Sequence, residues 1–219
     1  MQAMGADSGN NINWSFSTET VVGTLYSHDR TTELSGKKVS ISYNGGAIAD
    51  TDLTDAGGQF SLSGANMTGG TIVTLYIQDE TEDGVAVVLS SGISMTGTHL
   101  YKDHLIVRSE SGSTAITNAV LALADDMDGT PDADVTAIYA VSAGALTVAS
   151  GKKLYVWPGT NFVPGGAVTT PEFYVPASAT FNAGSSAIDI NGPLTVLGTF
   201  IHGTNTLNIS GNVRIAAGS

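Results

Sequence analysis

Three features of these 219 residues predict an all-β fold, a Greek-key β-sandwich followed by a short β-solenoid. The first is a 19-residue echo near the C-terminus, where residues 181–196 (FNAGSSAIDINGPLTV) are answered by residues 200–215 (FIHGTNTLNISGNVRI). The second is apolar alternation with a period of two at Val39, Ile41 and Tyr43 and again at Val73, Leu75 and Ile77, the mark of half-buried strands. The third is composition: 27 glycines, few charges and many Thr, Ser, Val and Ala residues favour strands and turns over helices.

Taken from the N-terminus, the chain divides into an arm (1–18), a sandwich (19–98) and a solenoid with an N-terminal cap (99–219). In the arm, Ile12, Trp14 and Phe16 alternate. This segment either folds back on its own domain or completes a neighbour's sheet by strand addition. Strands of the sandwich are expected at 21–26, 39–43, 60–62, 73–77 and 85–89, with Gly- or Asp-containing turns between them. Asp50, Asp52 and Asp55 are assigned to one such turn, and the acidic run Asp79, Glu80, Glu82, Asp83 to another.

Between the two parts lies one candidate helix, near 114–124. Ile116, Ala119, Val120 and Leu123 share a face at i, i+3, i+4 and i+7, with Ser113 or Thr114 as N-cap, and its expected use is to plug the solenoid's N-terminal end. A buried strand at 119–123 is the competing reading.

Extending the echo backwards brings Phe162 under Phe181, and Leu154-Tyr155-Val156 under Phe173-Tyr174-Val175. Leu146-Thr147-Val148 supplies an earlier triplet, and about four coils are expected from residue 144 onward. One coil cannot bury its own inner side chains, so stacking at the β spacing of about 4.8 Å must do so. The last coil, with Val213 and Ile215, is then expected to present an unpaired edge to a neighbour. An antiparallel sandwich with chance spacing is the alternative.

Charge and chemistry narrow the function classes. Eight basic against 20 acidic residues give −12, a poor match to nucleic acid. Residues 181–219 carry only Asp189 and Arg214 as formal charges, a near-neutral surface suited to contact. There is no cysteine, which excludes disulfides, thiol catalysis and thiolate metal sites. No run is long and apolar enough to span a membrane, and the first residues do not read as a signal peptide.

Three constellations remain. Asp125, Asp126, Asp128, Asp132 and Asp134 surround a Gly and a Pro, and oxygen-only ligands suit Ca²⁺. The run is not an EF-hand, because position 12 from Asp126 is Ala137, so a calcium site and a solvated acidic loop both stay open. Tyr101, Lys102, Asp103 and His104 crowd together, but adjacent residues on a strand point to opposite faces, which argues against an Asp103–His104 dyad. The coils offer only Asp189, His202 and Arg214, not the paired carboxylates of a glycosidase, so no enzymatic activity is expected. Trp14, Phe16, Trp157, Phe162, Phe173 and Tyr174 are read as core or as a sugar-stacking platform, with Phe162 facing inward.

Residues 22–26 (VGTLY), 34–42 (LSGKKVSIS) and 54–60 (TDAGGQF) together resemble the carboxypeptidase regulatory-like, or transthyretin-like, β-sandwich domain over about 20–90. The resemblance implies a strand–turn–strand corner at 54–60, organised by Asp55 with Phe60 in the core, and a spacer role in secreted and surface proteins. The rest resembles, in style, the tandem modules of large low-cysteine bacterial surface proteins. The expected function is therefore a non-catalytic, extracellular structural or assembly module of a cell-surface protein or filament. It would bind itself or adjoining modules through the arm (Ile12, Trp14, Phe16) and the last coil (Val213, Ile215). The alternative is a carbohydrate-binding adhesin module or phage tail appendage that contacts surface glycans.

Overall fold

The computed structural model describes residues 19–63, 67–112, 114–125 and 132–216. The arm, including Ile12, Trp14 and Phe16, lies outside the described residues, as do Ser113, Asp126 and Asp128.

The sandwich strands are β1 (Thr20–Tyr26), β2 (Lys38–Tyr43), β3 (Ile48–Leu53), β4 (Gln59–Ser63), β5 (Gly69–Ile77), β6 (Val85–Ser91), β7 (Leu100–Tyr101) and β8 (His104–Ser109). One sheet runs β4-β1-β7, and the facing one contains β3-β2-β5-β6-β8. Val21 and Leu25 of β1 and Phe60 and Leu62 of β4 meet Val39, Ile41, Val73, Leu75, Ile77, Val88 and Ile106 in one core. The period-two pattern of β1 and β4 follows, since their other face meets solvent.

β3 escaped the sequence reading because its polar IADTDL run lacks an apolar alternation. Asp50 and Asp52, assigned to a turn, stand on this strand. Their carboxylates accept the N–H of Ser63 (2.6 Å) and Ser61 (2.8 Å), joining the two sheets at their edge. Asp55 does organise the next turn, accepting from the N–H of Gly57 (2.8 Å) and Gln59 (2.9 Å), and Phe60 is buried.

The solenoid follows helices α1 (Asn118–Asp125) and α2 (Ala133–Thr136). Its strands are β9 (Tyr139–Ser142), β10 (Ala145–Val148), β11 (Lys153–Val156), β12 (Asn161–Phe162), β13 (Val168–Thr170), β14 (Phe173–Val175), β15 (Thr180–Asn182), β16 (Ile188–Ile190), β17 (Leu194–Val196), β18 (Thr199–Ile201), β19 (Leu207–Ile209) and β20 (Val213–Ile215). They form three walls, β8-β11-β14-β17-β20, β9-β10-β13-β16-β19 and β12-β15-β18. All neighbours pair in parallel except β9 with β10.

The sequence echo is the stacking register. Phe162, Phe181 and Phe200 pair in succession, as do Ile188 with Leu207, Leu194 with Val213 and Val196 with Ile215. Leu146-Thr147-Val148 belongs to a different wall from Leu154-Tyr155-Val156, lying under Val168 rather than below the Tyr155 column. Corner glycines allow adjacent coils to close up: a Cβ on Gly203 would lie 1.3 Å from the carbonyl oxygen of Gly184.

Strands on the two sides of the expected boundary at 98/99 pair with one another. β7 belongs to the sandwich, pairing with β1, and β8 pairs in parallel with both β6 and β11. A single nine-stranded sheet, β20-β17-β14-β11-β8-β6-β5-β2-β3, thus runs from one end of the solenoid through the sandwich. Its central strands are buried on both faces. Val88 and Ile106 look into the sandwich, while Val87, Leu89, Leu105 and Val107 look into the solenoid core. That is why residues 85–89 and 105–107 are unbroken apolar runs.

α1 closes the solenoid beside this sheet. It starts at Asn118, after Thr117, whose hydroxyl accepts the N–H of Val120 (3.3 Å). Ile116 is therefore not helical but bridges to Phe162, and the buried face is Leu121 and Ala124. Leu123, expected inside, is 57% exposed, because the face that packs inward is that of Asn118, Leu121 and Ala124. The last turn is tied down by Tyr139 and Thr74, whose hydroxyls donate to the carbonyls of Leu121 (3.0 Å) and Ala124 (3.2 Å). No helix among the described residues is long and apolar enough to cross a membrane.

Candidate functional site

Among the described residues, the solenoid tip formed by β18, β19 and β20 is an open end. Leu194 and Val196 on β17 are 3% and 5% exposed, whereas Val213 and Ile215, which occupy the same columns one strand on, are 49% and 71% exposed. Phe200, Leu207 and Ile209 are partly buried against the core from one side. Outward columns end in polar groups: Asn208 donates to the Asp189 carboxylate (2.7 Å), and Arg214 follows Thr195. The tip thus combines backbone edges with inward-facing apolar side chains that no described residue covers.

The opposite end of the solenoid is sealed on all three walls. β6 continues the first wall, antiparallel β9 with α1 behind it closes the second, and Ile116 pairs with the β12 edge of the third. On β12 the Ile116 N–H donates to the Asn161 carbonyl (3.0 Å), and the Val163 N–H to that of Ile116 (2.9 Å).

A second constellation lies along the seam between sandwich and solenoid. Tyr155 and Tyr174 stand one coil apart on the outer face of the large sheet, with ring centroids 5.3 Å apart. Arg30 lies 4.3 Å from the Tyr174 centroid and 5.4 Å from that of Tyr155. Its loop is held by Asp29, which accepts from the Ser27 hydroxyl and the Thr32 and Thr31 N–H groups. These bonds hold the Asp29 carboxyl well below the usual range. Trp157 has Arg108 4.9 Å from its centroid, and Arg108 in turn pairs with Glu110 and donates to the Gly97 carbonyl (2.7 Å). A sugar ring stacking on Tyr174 or Trp157 meets a guanidinium already placed over each ring. Phe162 and Phe173, the other described members of the expected platform, are buried in the solenoid. Arg30 and Arg108 were missed by sequence reasoning, although the 19-residue spacing of Tyr155 and Tyr174 marked the column that Arg30 covers.

Tyr101, Asp103 and His104 do cluster, but Asp103 stands in a turn and bonds Lys152 (2.7 Å), with His28 at 3.4 Å. His104 is almost fully buried, with Nδ1–H donating to the Lys102 carbonyl (2.7 Å). Burial, with Lys153, His28 and Arg30 nearby, pushes its pKa from 6.5 down to about 4, although the Lys102 bond opposes the shift. In the unfolded chain this imidazole takes its proton near 6.5, so unfolding between those values takes up a proton. Stability therefore falls as pH drops from about 6.5 to about 4, by up to about 3 kcal/mol from this residue. Denaturant titrations across that range should show the slope, and His104→Gln should flatten it.

The two acidic clusters converge. The Asp79 N–H donates to the Asp134 carboxylate (2.9 Å), and Asp132 caps α2 by accepting from the Asp134 N–H (2.8 Å). Burial first, then the charges of Asp132, Asp79 and Asp83, push the Asp134 carboxyl up. Among the described residues, no three His, Asp or Glu side chains are grouped to hold a metal ion. The remaining expected calcium ligands are Asp126 and Asp128, outside those residues, and Asp125, at the end of α1.

No family model matches the chain, nor does any curated protein or solved structure. The carboxypeptidase regulatory-like resemblance thus rests on the quoted motifs alone.

Proposed function

We propose that the chain is a non-catalytic structural module of an extracellular, bacterial-type surface protein or filament, and that it associates with itself or adjoining modules through an open β-edge. The observation that carries this reading is the nine-stranded sheet, which fuses sandwich and solenoid into one stiff body and leaves its apolar rungs exposed at the tip. Such a body transmits force and fixes distance between what is attached to it. The acidic remainder of the surface keeps its flanks apart from one another.

The runner-up is a glycan-binding module, and the half-buried Trp157 and Tyr174 favour it. A glycan array probed with the 219-residue chain separates the two. The structural reading expects no saturable binding. Micromolar binding to a defined glycan, abolished by Trp157→Ala in a chain with an unchanged circular dichroism spectrum, would replace it with the runner-up.

A further inference from the structure

We infer that the β1–β2 loop, residues 27–32, is an acid-released strap, closed over His104 and the Tyr155–Tyr174 column at neutral pH and let go when His104 takes up a proton. The loop is a preformed unit. The Arg30 N–H donates to the Ser27 carbonyl (3.0 Å) and the Ser27 N–H to that of Thr32 (2.7 Å), while Asp29 accepts from the Thr31 and Thr32 N–H groups (2.9 Å each). At its base Tyr26 and Glu33 bridge to each other, which makes the hinge. With these backbone groups turned inward, side chains fasten the loop to the sheet. Arg30 lies on the rings of Tyr174 and Tyr155, and His28 has its Nδ1 3.4 Å from Asp103 and its ring centroid 5.5 Å from that of His104.

The fastening titrates in a range where the loop's own bonds do not. The Ser27 hydroxyl and the Thr32 and Thr31 N–H groups hold the Asp29 carboxyl well below the usual range, so the loop keeps its shape in mild acid. His104, 2% exposed on β8, faces His28 of the loop, Tyr101 of β7 (ring centroids 5.6 Å apart), Tyr155 of β11 (6.5 Å), and Lys153, its register partner on β11, with Arg30 nearby. Lys153 is paired with Glu172 (2.9 Å), and Asp103 shares Lys152 with Asp83 (2.7 Å each). A proton on His104 is thus a buried charge set among cations, and it is relieved when the loop carrying His28 and Arg30 leaves and water enters. Burial and these cations hold the His104 pKa at about 4 in the closed site, and opening returns it toward 6.5. The open fraction therefore rises as pH falls between those values, on the order of a hundredfold from neutral pH to the lower one. His28 works the other way, because its protonated ring gains the Asp103 carboxylate.

Hydroxyl-radical footprinting of the full chain, read by mass spectrometry across a pH series from neutral to about 4, tests this. Oxidation of Tyr155, 7% exposed in the closed form, should rise severalfold while Phe181 in the solenoid core stays unlabelled. His104→Gln should hold Tyr155 at its neutral-pH level throughout, with His104→Asn as the replacement where the first does not fold, and His28→Gln should keep the rise. Tyr155 labelling that is flat across the series, or that rises only together with Phe181, would overturn the inference from the unsubstituted chain alone. A rise that survives the loss of His104 in a chain with an unchanged circular dichroism spectrum, or that vanishes with His28, would overturn it as well.

Discussion

Replacing Phe181 by alanine should remove about 4 kcal/mol of stability. Phe181 is fully buried at the centre of an aromatic column inside the solenoid. Its ring lies 5.5 Å from Phe162 below and 4.9 Å from Phe200 above, and it meets Phe173 of the neighbouring wall edge-on at 4.8 Å and 87°. Three effects add. The buried area is lost, the column keeps a cavity because the rungs on either side are fixed by parallel ladders, and three ring contacts disappear. Phe200→Ala should cost about half as much, since among the described residues Phe200 has a rung on one side only. Equilibrium denaturation followed by far-ultraviolet circular dichroism reads both. A loss below about 1 kcal/mol for Phe181→Ala would mean that the coils are not stacked through this column.

The contrast between these two phenylalanines shows how the sequence encodes the solenoid. Stacked coils place like residues at like heights, so the echo of Phe181 by Phe200 is itself the pairing register, and the stretch to 21 residues between Phe173 and Leu194 is absorbed in a corner. The sandwich strands with one solvated face were equally legible. Elements lacking that signal were not. β3 is polar because its work is to present Asp50 and Asp52 to β4. The start of α1 was misplaced because Ile116 is apolar and helically spaced, yet is used in a bridge to Phe162. The fusion of sandwich to solenoid depends on β8 pairing with two strands distant in sequence, and a local pattern cannot show which face of Leu105-Ile106-Val107 belongs to which core. At the candidate site Val213 and Ile215 were legible as the last members of repeating columns. Arg30 and Arg108 were not, since they reach the seam by folding of loops and sheets.

That fusion makes a lesion in the sandwich a lesion in the solenoid, and Gly23→Ala tests it. Gly23 is buried in β1 opposite Phe60, and a Cβ there would lie 1.6 Å from the Thr98 carbonyl oxygen and 2.5 Å from the Phe60 ring. The first contact is with backbone, so no rotamer relieves it. The segment carrying Met95 and Thr98 must leave β1, giving up the Val22-to-Met95 (2.9 Å), Met95-to-Thr20 (2.8 Å) and Thr98-to-Val22 (3.1 Å) hydrogen bonds and disturbing buried Met95 and Leu100. The expected cost is about 3 kcal/mol or more, against less than about 0.5 for Gly112→Ala, where the added methyl meets nothing within 4 Å. Hydrogen exchange at the Phe181 and Ile190 amides, far from the substitution, then reads the coupling. If β6, β8 and β11 unfold together, protection there should fall with the sandwich by a comparable free energy. Solenoid amides that keep their protection while the sandwich is destabilised would instead show two independently folding units, and the structural reading would lose the stiffness on which it rests.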